Sequence, residues 1–88
     1  MQIQCTRYEL YAPDPITSIP TGYVVGFEAT FDNGAVYYQD TVVSLDDATG
    51  KTQKEVATLA LSRIQPDIDE QNAKVIQSVI GMSFTPGA

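Results

Sequence analysis

GYVVGFEATFDNGAVYYQDTVV, residues 22–43, is the stretch whose reading decides the fold. Tyr23, Val25, Phe27, Ala29 and Phe31 take every second position, with Val24, Gly26, Glu28 and Thr30 between them. That is the period of a strand with one buried face. Asn33-Gly34 follows at once, and this pair readily adopts the positive φ values of a two-residue type I′ turn, whose twist matches the strands it joins. A β-hairpin is expected.

Turn length fixes which residues share a face. With Asn33-Gly34 as the whole turn, Phe31 opposes Val36, Ala29 opposes Tyr38, Phe27 opposes Asp40 and Val25 opposes Val42. With Asp32 as a third loop residue, Phe31 opposes Ala35, Ala29 opposes Tyr37, and Gln39 and Thr41 join that face. The first register buries more apolar surface and is the expected one. It leaves Asp40 at the sheet rim, reaching water or a hydroxyl, since a buried unpaired Asp is costly. It turns Val24, Gly26, Glu28 and Thr30 outward, together with Tyr37, Gln39, Thr41 and Val43.

On either side of the hairpin the chain is short. Its 88 residues suit one domain, expected over residues 1–85, with 86–88 a frayed tail. Hydrophobic residues make up 43% and charged residues 18%, a globular rather than a disordered composition, so the chain is expected to fold. Eleven acids outnumber five basic residues, Arg7, Lys51, Lys54, Arg63 and Lys74, which are scattered and give a net charge of −6. Direct nucleic-acid binding and adhesion to an anionic membrane both want a basic patch, and neither is expected. The acidity serves solubility in the simplest reading, or else a basic partner.

Cys5 is the single cysteine, so no intrachain disulfide forms. This suits a reducing compartment, and its alternation with Ile3 suggests a buried thiol. The polar, alternating start MQIQCTRYEL does not read as a signal peptide, and no segment approaches the roughly 20 apolar residues of a membrane span. A cytoplasmic location, or a place in something assembled inside a cell, is expected.

Residues 2–11 read as a first strand whose alternation changes phase: Ile3 and Cys5 share one face, Tyr8 and Leu10 the other. A bulge near Thr6-Arg7 reconciles the halves, as does a strand covered on both faces. Pro13, Pro15 and Pro20 make residues 12–21 a stiff connection, with a turn favoured at Asp14-Pro15. Residues 44–51 read as a loop. Thr52-Gln53-Lys54-Glu55 matches the capping box, in which the Thr52 hydroxyl and the Glu55 carboxylate each satisfy an orphan amide. The helix it opens carries Val56, Leu59, Ala60 and Ile64 as an apolar stripe. Pro66 should kink or end it near Gln65, and a second helical segment is expected over 66–75, with Asp67, Asp69 and Glu70 near its start. Residues 76–84 suit either more helix or a strand, and a short final strand over 80–85 is chosen. The sum is an α+β domain: a small antiparallel sheet of three to four strands, in the order β-β-β-α-β, with a kinked or broken helix on one face.

Chemistry has little to work with. There is no histidine, which removes the commonest general base, the usual triads and most transition-metal sites. Asp46-Asp47 and Asp67-x-Asp69-Glu70 lack the spacing and turn glycine of an EF-hand and read as helix-start and surface charge. Gly50-Lys51-Thr52 has the ending of a phosphate-binding loop, but Leu45 stands where its first glycine belongs. No cofactor, metal or small-molecule substrate is expected. Five tyrosines remain, and an exposed tyrosine on a sheet suits a contact anchor. The expected contact residues are Tyr37, Val43, Val24 and Gln39, all outward in the chosen register.

The segments YELYAPDP, PTGYVVGFEATFDNG, DDATGKT and IGMSFTP, taken together, resemble small accessory proteins encoded in the structural-gene regions of tailed phages and prophages. The resemblance covers most of the chain and carries no functional residues with it. It implies a non-enzymatic component, either a virion or assembly part or a factor acting on a host protein. The expected function is therefore a structural or protein-interaction module with a protein partner or a homo-oligomeric state. The rival expectations are an acidic inhibitor that mimics nucleic acid and a small carboxylate-based enzyme.

Overall fold

The computed structural model describes residues 1–77 and 85–87; of the strand expected over 80–85, all but Thr85 lies outside them. Three strands, β1 (Gln2–Tyr11), β2 (Gly22–Thr30) and β3 (Val36–Ser44), form an antiparallel sheet in the order β1-β2-β3. A one-turn helix α1 (Leu45–Ala48) and a long helix α2 (Gln53–Gln77) follow. This is the α+β arrangement expected, with one difference in register and one added element.

The register difference starts in the hairpin loop. Ala29 pairs with Tyr37, Phe27 with Gln39 and Val25 with Thr41, so the loop has three residues, Asp32, Asn33 and Gly34. The Gly34 amide donates to the Phe31 carbonyl at 2.9 Å and the Phe31 amide donates to the Ala35 carbonyl at 2.8 Å. Gly34 alone in this loop has positive φ, +88°. A type I′ turn requires positive φ at both central residues, so it is ruled out here. The geometry is that of a type I turn closed by a left-handed residue, the usual three-residue hairpin loop. Asn33 contributes through its side chain, whose Oδ1 accepts the Ala35 amide at 3.0 Å.

β1 carries the bulge its sequence suggests. Cys5 pairs with Phe27 and Arg7 with Gly26, so Thr6 is the extra residue. Below it Ile3 and Cys5, and above it Tyr8 and Leu10, therefore lie on one face of the sheet.

The stretch expected as a loop contains α1. Ser44 caps it by accepting the Asp47 amide at 3.2 Å, and Ala48 is buried beneath it. α2 then opens on the expected capping box, with the Glu55 amide donating to Thr52 Oγ1 at 3.2 Å and the Thr52 amide to Glu55 Oε1 at 3.3 Å. Pro66 lies inside α2 and kinks it without ending it. Every fourth residue, Val56, Ala60, Ile64 and Ile68, is buried, so the stripe crosses the proline unbroken. These side chains meet Val25, Phe27, Ala29, Phe31 and Val43 in a single core. Each large member contributes about 1.5–3 kcal/mol by leaving water.

Candidate protein-contact surface

Cross-strand pairing sorts the sheet into two faces. The face beneath α2 carries Ile3, Cys5, Tyr8 and Leu10 from β1, the buried row of β2, and Tyr37, Gln39, Thr41 and Val43 from β3. The open face carries Gln4, Arg7, Glu9 and Tyr11, then Val24, Gly26, Glu28 and Thr30, then Val36, Tyr38, Asp40 and Val42.

This corrects most of the contact residues expected from the sequence. Val43 is 0% exposed and offers no surface to a partner. Tyr37 is half-buried under the helix, where its hydroxyl donates to Gln39 Oε1. The Gln39 amide in turn donates to Asp67 of α2 at 2.8 Å. Val24 does lie on the open face, but its place on the central strand between Glu9 and Val42 leaves it 7% exposed. A one-residue slip exchanges every side chain of β3 between faces. The residues it brings out include Tyr38, 66% exposed, with exposed Val36 next to it on this face and exposed Val42 beyond Asp40.

Asp40 also moves to the open face, and it is paired there. Arg7 Nη1 lies 2.9 Å from Asp40 Oδ2, and the same guanidinium binds Glu9. The side chain reaches across β2 at Gly26, where a Cβ would stand 3.0 Å from that of Arg7 and run into the Asp40 carboxylate. Hydrogen bonds to Glu9 and then Asp40 raise the Arg7 pKa above its ordinary value. Such an exposed pair adds little stability, so its weight lies in fixing a charged group at the middle of the open face.

A second surface lies on the helix side, over β1. α2 packs chiefly on β3 and β2, and β1 lies at the margin of the core, with only Ile3 and Tyr8 of this face half-buried against it. Leu10 is 59% exposed as a result, and Cys5, expected to be a buried thiol, is exposed as well. Tyr8 stacks at a tilt on Tyr23, ring centroids 5.2 Å apart. Partial burial, then the neighbouring Tyr23 and Cys5, raise the Tyr8 pKa. Past β1, the loop of residues 12–21 turns at Asp14, whose Oδ1 accepts the Ile16 amide at 2.9 Å, and it holds Ile16 and Ile19 in solvent.

Apart from Glu9 and Asp40, which share the Arg7 guanidinium, the carboxylates do not converge. An open groove of about 460 Å³ along the start of α2 is lined by Lys51, Lys54, Glu55, Thr58, Leu59 and Ser62, and its one acid, Glu55, is the capping residue. Asp46-Asp47 sits on α1, with Asp47 2.6 Å from Arg63, while Asp67 and Asp69 hydrogen-bond Gln39 and Gln65. Among the described residues no three of the Cys, Asp and Glu side chains cluster as a metal site, and no helix is long and apolar enough to cross a membrane.

Comparison with known proteins adds no assignment: no family model, no curated protein and no solved structure matches the chain.

Proposed function

We propose that the protein is a non-enzymatic interaction module that binds another protein through the open face of its sheet, in the setting of a phage or prophage virion or its assembly. The observation that carries this reading is the row Val36, Tyr38 and Val42, large side chains left exposed on a face that no described element covers. Apolar groups gathered on one face mark contact sites more often than apolar groups scattered singly. Tyrosine adds a rigid ring and a polar tip, the combination favoured at binding hot spots. Arg7 with Glu9 and Asp40 supplies charge beside the row, which orients a partner more than it adds affinity.

The test is capture from the native host or its particles with tagged protein, repeated with Tyr38→Glu and with Val42→Lys. Both sites are exposed strand positions, and circular dichroism checks that the variants fold. Capture of a defined partner that is lost in both variants is the expected result. A partner retained at full yield by both overturns the assignment of this face.

A further inference from the structure

We propose that the outer edge of β1 pairs with the β1 edge of a second copy, antiparallel about a two-fold axis at Tyr8, so that Arg7 of each copy faces Glu9 of the other. This names one partner for the interaction module proposed above, and it places that partner on a surface separate from the Val36, Tyr38 and Val42 row.

The argument begins with the direction of the backbone groups. In an antiparallel ladder successive residues turn their amide and carbonyl to opposite neighbours. The Phe31 amide bonds the Ala35 carbonyl, so the odd residues of β2 bond β3 and the even ones bond β1. Arg7 and Glu9, opposite Gly26 and Val24, therefore face β2. Tyr8 and Leu10 turn their amides and carbonyls to the outer edge, where among the described residues no strand pairs with them.

Edges of this kind are normally blunted by proline, by charged side chains, by a bulge or by a covering element. The bulge at Thr6 blunts the lower half of β1, and among the described residues no proline, bulge or covering element protects Arg7 to Tyr11, whose only guard is the charge of Arg7 and Glu9. The charges there are of opposite sign and two residues apart on one face, which makes them self-complementary under a two-fold axis midway between them. That midpoint is Tyr8. An axis at Arg7 would set Arg7 against itself, and an axis at Glu9 would set Glu9 against itself; like charges directly opposite are destabilising. With the axis at Tyr8 the two Tyr8 residues form a hydrogen-bonded pair, and Arg7 meets Glu9 in the adjoining non-hydrogen-bonded pairs, where side chains approach most closely.

The same axis keeps both α2 helices on one side of a six-stranded sheet. The exposed Cys5 and Leu10 and the half-buried Tyr8 of the two copies then form one continuous floor between the helices. The second copy's Cys5 comes to lie opposite Tyr11 and its Ile3 beyond it, where the loop bearing exposed Ile16 and Ile19 departs.

Light scattering and sedimentation over a concentration series test the proposal on the full chain. The wild type is expected to dimerise, and Glu9→Lys and Arg7→Glu, each alone, to weaken self-association by about tenfold or more through two symmetric like-charge contacts. Mixing the two variants should restore a one-to-one heterodimer, because Arg7 and Lys at position 9 of one copy then face Glu9 and Glu at position 7 of the other. That rescue separates a lost contact from a damaged fold. In a Cys5→Ser background, Tyr8→Cys should form an intermolecular disulfide on mild oxidation, since paired Cα atoms about 5.5 Å apart suit the bond, and Tyr38→Cys should not. A monomer at every concentration, a dimer indifferent to both charge reversals, or a mixture without heterodimer overturns the proposal. Tyr38→Glu, which is expected to abolish partner capture, should leave the dimer intact, so the two surfaces fail separately.

Discussion

Gly34 sits at φ +88° with open space where a side chain would stand, so the cost of replacing it comes from the backbone alone. Gly34→Val should lower stability by more than about 1 kcal/mol, because a β-branched residue resists the left-handed region. Urea denaturation of both proteins measures it, and equal midpoints would contradict the loop geometry. Position 34 needs positive φ in a two-residue and in a three-residue loop alike, which is why the glycine was legible and the loop length was not. Counting apolar pairs chose the wrong register because it valued Tyr38 and Val42 as core and ignored where the charges go. Asp40 decides it. In the observed register it meets Arg7 across Gly26, whereas the rejected one sets it on the helix face opposite Phe27. The signal was available, since the bulge already places Arg7 on the face away from Cys5 and Tyr8, and a mate for that guanidinium exists on β3 only when Asp40 shares its face. The same slip explains the misplaced contact residues Tyr37, Gln39 and Val43.

Among the elements, α2 was the most legible, because both its cap and its stripe are periodic signals that tertiary packing has no reason to override. Thr52→Ala removes the hydroxyl that accepts the Glu55 amide and should cost about 1 kcal/mol. Thermal melts would show it, and an unchanged melting temperature would mean that Glu55 and water satisfy the first turn unaided. Pro66 allows either a break or a kink, and the helix takes the kink. Its missing amide leaves the Ser62 carbonyl without the usual partner, a defect that ends many helices. Here Ile64 and Ile68, on either side of it, are both buried against the sheet, and that burial outweighs one lost hydrogen bond. Pro66→Ala restores the bond at an exposed position and should stabilise the protein by about 1 kcal/mol or more. A fall in the denaturation midpoint would instead show that the kink is what brings both isoleucines onto the sheet. α1 escaped the sequence reading because four residues give no periodicity; its only signal was Ser44 three residues before Asp47.

For the molecule as a whole, charge adds ties around the rim of the core. The Met1 amino group lies 2.7 Å from Asp32, fastening the start of β1 to the hairpin loop, and Arg63 fastens α2 to α1 through Asp47. The hydrogen bond from the Met1 amino group lowers the Asp32 pKa, and those from Arg63 and then Ser44 lower that of Asp47, from an ordinary value of 3.8. Asp14 is lowered too, by the amides of Ile16 and Thr17. In each case the unfolded chain holds its proton more tightly than the folded one. The stabilisation is therefore complete above the unfolded value and is lost as pH falls through the lower folded value. A simple pH titration would mix this with a second effect, because protonating acids also relieves the self-repulsion of a chain with net charge −6. Comparison with Asp47→Asn separates them, since the general charge effect is nearly common to both proteins. The wild type should be the more stable at pH 6, with the difference in denaturation midpoint constant down to about pH 4 and shrinking below it. A difference that holds unchanged at pH 2.5 would show that the Arg63 contact does not set the Asp47 titration, and α1 would then be held to α2 by Ala48 packing alone.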